Sequence, residues 1–126
     1  MSLTWFSKSE QRIVATLNSN HITLNAPTIS IFEGIDKIRL GYDLKSPKIV
    51  IDLLNRDQVE GYRYREDELI SYHKQMSYVR INCTAFIDLL VENLEQIKIK
   101  VLPIKFASTF DEAKRCITID LSKEVE

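Results

Sequence analysis

The sequence predicts a mainly β domain with short helices, in which two half-barrel-like strand–turn–strand–helix–strand–strand units of one chain form a pseudo-twofold barrel. Three observations predict it. Short runs that alternate polar and apolar residues, or that are rich in Ile and Val, recur along all 126 residues between turn-forming residues. Helical spacing of any length occurs only after Asn82. The second half of the chain can be laid over the first with an Asn at the same strand–helix junction.

Arg12-Ile13-Val14-Ala15-Thr16-Leu17 reads as the first strand. Asn18-Ser19-Asn20 is a turn, since Asn tolerates positive φ, and His21-Ile22-Thr23-Leu24 alternates as a second strand, completing a hairpin. Asn25 is a strong N-cap residue, and Pro27 is tolerated in a first turn whose N–H groups have no intrahelical partner. A short helix therefore starts at Asn25 and ends at Gly34, which adopts the left-handed C′ conformation cheaply. Ile38 to Tyr42 and Lys48 to Leu53 are strands about the turn Asp43–Pro47. Residues 54–77 read as a polar connector holding a short strand or helical turn.

The pattern restarts with the strand Tyr78-Val79-Arg80-Ile81 and Asn82. Phe86, Leu89, Leu90 and Asn93 recur on one helical face. Gln96 to Leu102 alternates as a strand, residues 103–115 form a longer connection, and Cys116 to Leu121 is the last strand. In the overlay, Ile22-Thr23-Leu24-Asn25 meets Val79-Arg80-Ile81-Asn82, and Ile35–Leu40 meets Leu94–Ile99. Ile49-Val50-Ile51-Asp52-Leu53 meets Ile117-Thr118-Ile119-Asp120-Leu121. The expected organisation is a single domain, 1–126, with a first unit at 12–53, a connector at 54–77 and a second unit at 78–121. One such unit has an apolar face and bare edges, which a second unit covers.

A chain this long buries a core without staples. With 44% hydrophobic residues and a net charge of −1, it is globular and lacks the overall basic signature of a nucleic-acid binder, although a local basic face remains compatible with neutrality. Cys83 and Cys116 form no CxxC pair or Cys/His cluster, which points away from zinc and disulfides and towards the cytoplasm. Met1–Lys8 lacks the apolar core of a signal peptide, and no stretch reaches membrane-span length. Trp5 and Phe6 lie outside the repeat and are expected to pack across the barrel, with a partner-binding patch as the alternative.

The first unit, Arg12 to Leu53, resembles the swapped-hairpin half-barrel of the AbrB/SpoVT transition-state regulators, and Tyr78 to Leu121 resembles it more weakly. In that family a turn Gly and an Arg precede the second strand and a Pro follows it. Asn20, His21 and Asn25 stand there in the first unit, and Ser77, Tyr78 and Asn82 in the second. The apolar pattern matches and the signature residues differ. The resemblance implies a dimer-like barrel that binds DNA through Arg and Lys on one face.

Two groups are candidates for that role. In Tyr62-Arg63-Tyr64-Arg65, with Arg56 upstream and Lys74 and Arg80 downstream, extended alternation puts both Tyr on one face and both Arg on the other. Arg pairs with phosphate or guanine and Tyr stacks on bases. Against this, Glu60, Glu66, Asp67 and Glu68 can pair with those arginines and repel phosphate. The second group is Lys8, Arg12 and His21 around the first turn, where the resembled family presents its DNA contacts.

His21 and His73 have no partner at metal-ligand spacing, and no phosphate loop, GxSxG or HExxH motif occurs. No cofactor or catalysis is expected. The expected function is a small bacterial or mobile-element DNA-binding regulator. The alternative is a protein-interaction module whose DNA face is lost. DNA or another protein is the partner class, and pseudo-dimeric monomer and homodimer both stay open. Convergence of the basic residues on a face poor in carboxylates would favour DNA; interleaved acids would favour a protein partner.

Overall fold

The computed structural model describes residues 2–5, 12–61, 63–98 and 101–125. Phe6, Lys8, Tyr62, Ile99 and Lys100 therefore lie outside the described residues. Eight antiparallel strands form one curled sheet: β1 (Ile13–Leu17), β2 (His21–Asn25), β3 (Ile35–Asp43), β4 (Lys48–Asn55), β5 (His73–Lys74), β6 (Tyr78–Asn82), β7 (Ile104–Asp111) and β8 (Cys116–Val125). Their spatial order is β3-β4-β8-β7-β1-β2-β6-β5. The ends of the sheet meet where Ile38 of β3 and Ile70 exchange two backbone hydrogen bonds of 3.0 and 2.8 Å.

The two halves pair with each other across two ladders. In β2–β6, Thr23 faces Arg80, Ile22 faces Ile81 and Leu24 faces Val79. A half-turn about the Thr23–Arg80 pair carries Ile22 onto Val79, Leu24 onto Ile81 and Asn25 onto Asn82, which is the sequence overlay. In β4–β8, Val50 faces Thr118, Ile49 faces Ile119 and Ile51 faces Ile117. A half-turn there carries Ile49–Leu53 onto Ile117–Leu121. The same operation exchanges the two hydrogen bonds that bound this ladder, Leu53 N–H to Arg115 O and Leu121 N–H to Pro47 O, both 3.0 Å.

The turns repeat as well. Asn18 N–H donates to His21 O at 2.9 Å, and Gln75 N–H donates to Tyr78 O at 2.8 Å. Asp43 Oδ1 accepts from the N–H of Ser46 at 3.2 Å, and Asp111 Oδ1 from that of Lys114 at 3.1 Å. Ile22, Leu24, Val79, Ile81, Ile49, Ile51, Ile117 and Ile119 all lie in one buried cluster inside the curl. Each such side chain contributes about 1.5–3 kcal/mol by leaving water.

The second unit departs from its sequence reading at three places. The strand expected over Gln96 to Leu102 does not begin at Gln96: Glu95–Lys98 is a helix, α3, following α2 (Thr84–Asn93), and Ile99 and Lys100 lie outside the described residues. Helical spacing of Ile87, Leu90, Leu94 and Ile97, all buried, overrides the local alternation. The same four define the buried face, whereas Phe86 and Leu89 are half-buried and Asn93 is exposed. Residues 104–111, expected within a connection, are β7, where Ile104, Phe106 and Ser108 turn inward. The overlay of Ile35–Leu40 on Leu94–Ile99 therefore fails; β7 is the counterpart of β3. The polar stretch 54–77 holds a helix, α1 (Arg56–Glu60), a 3₁₀ turn (Glu66–Glu68) and β5. Ile70–Lys74 is the counterpart of β1, so the second hairpin starts upstream of Tyr78.

Between β2 and β3 the chain forms a 3₁₀ helix, Ala26–Phe32, closed by Gly34 at φ 72°. Asn25 occupies the N-cap position but its side chain does not cap. Oδ1 accepts from Val14 N–H at 3.0 Å and Nδ2 donates to Arg12 O at 2.9 Å, tying β2 to the start of β1. Thr28 Oγ1 takes the local role by donating to Asn25 O at 2.7 Å. Asn82 makes no such bridge; its Oδ1 accepts from Arg80 Nε at 2.9 Å. Asn25→Ala is expected to cost about 1–3 kcal/mol, because it leaves the part-buried Val14 N–H without its acceptor and frees the start of β1. Asn82→Ala should change stability by about 0.5 kcal/mol or less, as at an ordinary surface site. Urea unfolding of both variants measures the difference, and equal losses would contradict it.

Candidate nucleic-acid interface

The outward face of β7-β1-β2-β6-β5 is built by strand alternation. Leu17, Ile22, Leu24, Val79 and Ile81 turn inward, so Thr16, His21, Thr23, Arg80 and Asn82 turn outward. Register aligns one row across this wall: Lys105 beside Thr16, Thr16 beside Thr23, Thr23 beside Arg80, and Arg80 beside His73. His21 faces Asn82 in the same ladder, and Asn25 faces Tyr78. The hairpins Ile13–Asn25 and Ile70–Asn82, with both turns, contain no Asp or Glu.

The opposite wall differs in charge. Along β3, β4 and β8, Arg39 lies beside Asp52, and Lys48 lies between Asp43 and Asp120. Arg39 donates to Asp52 Oδ2 from Nε at 3.1 Å and from Nη2 at 2.8 Å, and its Nη1 lies 3.6 Å from Glu68. The Tyr64 ring covers its guanidinium at 4.4 Å. Arg39 thereby pins the connector to the outer face of β3.

The candidate residues separate accordingly. His21 and Arg80 come together on the two carboxylate-free hairpins of this wall, whose β7 carries Asp111 at its far end. Arg12 is exposed just before β1, and Glu112 lines the same groove as Arg12. Arg56 pairs with Glu60 at 2.8 Å, Arg65 lies 3.4 Å from Asp67 and 3.1 Å from Glu68, and Lys74 lies 3.6 Å from Glu33. Such exposed pairs add little stability, but they set a carboxylate beside three of the four Arg and Lys of the connector. Arg63 is exposed beside them. Lys8 lies outside the described residues. Lys105 and His73 were missed by sequence reasoning, as was the row that aligns them. The signal that could have found it is the lack of acids from Arg12 to Asn25 and from Leu69 to Ile87.

The wall's electrostatics follow from burial and neighbours. His21 Nδ1 lies 2.6 Å from Asn20 Oδ1. Partial desolvation, helped by the Arg80 charge, holds the imidazole below its ordinary pKa. Elsewhere, burial pushes the Cys83 thiol up to about 11 and also raises Cys116, so neither is a thiolate near neutral pH. Among the described residues no group of His, Cys, Asp and Glu is arranged to hold a metal, and no helix is long and apolar enough to cross a membrane. Comparison of the chain with protein-family models, curated proteins and solved structures finds no match.

The depressed His21 pKa means that the folded state binds fewer protons than the unfolded one. Its contribution to stability is present above the unfolded value of 6.5 and is lost as pH falls below it. An NMR titration is expected to place His21 below 6.5, and Arg80→Ala to move it only part of the way back, since desolvation is the larger cause. An unchanged titration in Arg80→Ala would contradict the contact.

Proposed function

We propose that this chain is a small, non-catalytic DNA-binding regulator of the bacterial or mobile-element kind, working in the cytoplasm, and that the outer wall of its two first hairpins holds duplex DNA. The observation that carries this reading is the partition of charge. Arg80, His21 and His73 lie on first hairpins that have no carboxylate, with Lys105 beside them on β7, while the acids of the strands, Asp111 of β7 among them, lie on the second hairpins. A phosphate backbone meets no carboxylate on the first hairpins, whereas on the second hairpins acids interleave with the lysines and arginines.

Dimensions support it. Lys105 and Arg80 are three strand spacings apart, roughly 14 Å at about 4.8 Å per spacing. That is comparable to the ~12 Å width of the major groove, so the pair can reach phosphates on its two sides. Thr16, Thr23 and Asn82 between and beside them offer neutral hydrogen-bonding groups for sugar, phosphate or base edges. The resemblance to the swapped-hairpin regulators also supports it, because here each first hairpin pairs with strands of the other unit. A protein-interaction module is the second reading, favoured by the acids that neutralise Arg56, Arg65 and Lys74.

A mobility-shift series over salt tests the proposal. Binding through about two phosphates gives a slope of log K against log salt near −2, and Arg80→Ala or Lys105→Ala should each reduce it by about 1. Arg56→Ala should leave the slope unchanged. No shift at low salt would end the DNA reading in favour of the protein-interaction module.

A further inference from the structure

We infer that the wall reads a duplex site without dyad symmetry, one chain per site and in one orientation; this inference rests on the DNA-binding reading above. A twofold-symmetric protein presents the same side chains to both halves of its target, which is why such proteins bind palindromes. In this chain the dyad passes through the Thr23–Arg80 pair, at the middle of the wall, and it is a symmetry of the backbone alone.

Apart from Lys105 of β7 and its mate Lys37 of β3, the outward side chains that it exchanges are mostly unlike. Thr23 maps onto Arg80, His21 onto Tyr78 and Thr16 onto His73, while Asn25 and Asn82 match in type but not in contacts. One half of the wall thus offers Thr16, Thr23 and a neutral-leaning imidazole. The other offers Arg80 with an exposed Tyr78 and His73. Arg80 is the group able to make a two-pronged contact with guanine, and its mate Thr23 has no charge and a shorter reach. Asn25 is also unavailable to DNA in the way Asn82 is, because its amide is spent on Arg12 and Val14. The two half-sites therefore demand different sequences, and Arg80 and Thr23 are the residues that set the polarity.

Selection from a pool of duplexes with a randomised core, using the full chain, tests this. The expected product is a motif that is not its own reverse complement, bound at one chain per duplex. In Thr23→Arg the two halves carry the same central side chain, and the motif should gain an inverted copy of the Arg80 half-site. A palindromic motif with the unaltered chain, or retention of duplex without any motif, overturns the inference and leaves DNA binding standing. Retention of no duplex overturns both.

Discussion

Backbone pairing between the two halves of the chain is the constraint from which the rest of the structure follows. Neither half could bury its own apolar face, because each carries two hairpins with one greasy side and open edges. The β2–β6 and β4–β8 ladders close those edges and place the two inner faces in contact. Side chains exchanged by the dyad, such as Ile22 with Val79 and Ile51 with Ile119, then fill one core rather than two. The β1–β7 ladder, five register pairs long, locks the first hairpin of one half onto the second hairpin of the other.

The counterpart of that third ladder is much weaker, and the difference has a visible cause. Ile70–Lys74 pairs with β3 backbone to backbone at Ile38 alone among the described residues. Beyond that bridge Tyr72 reaches in with its side chain, its hydroxyl donating to Ile35 O while its ring packs 4.8 Å from Phe32. Lys37 Nζ donates to Ser71 Oγ at 2.7 Å. Side chains thus close one seam and backbone the other. The backbone pairing repeats between the two units while their surface side chains differ, and that difference gives the two ends of the wall different chemistry.

Much of the architecture was legible in the sequence, because strand period and buried identity coincide in the central ladders. The Ile-x-Ile-Asp-Leu echo at Ile49–Leu53 and Ile117–Leu121 marks residues exchanged by the dyad. Where the reading failed, two periodicities competed. Ile97 belongs both to an alternating run and to a helical face with Leu90 and Leu94, and tertiary burial chose the helix. β5 was obscured because its counterpart residues Ala15 and Leu17 are replaced by Tyr72 and Lys74, which removes the alternating apolar signal. For the wall, His21 and Arg80 could be picked individually by their chemistry. Their alignment with Lys105 could not, since that depends on the register of three ladders between residues distant in sequence. The connector arginines drew attention as a cluster, yet the same short range that clusters them also supplies Glu60, Asp67 and Glu68 to neutralise them.

The most direct test of the cross-unit pairing is a set of interstrand proton–proton contacts measured by NMR on the full chain. Thr23 with Arg80, and Val50 with Thr118, should give backbone proximities of the kind made by facing residues in antiparallel strands. If each half instead showed contacts only within itself, the shared barrel, its dyad and the wall built on it would all be contradicted.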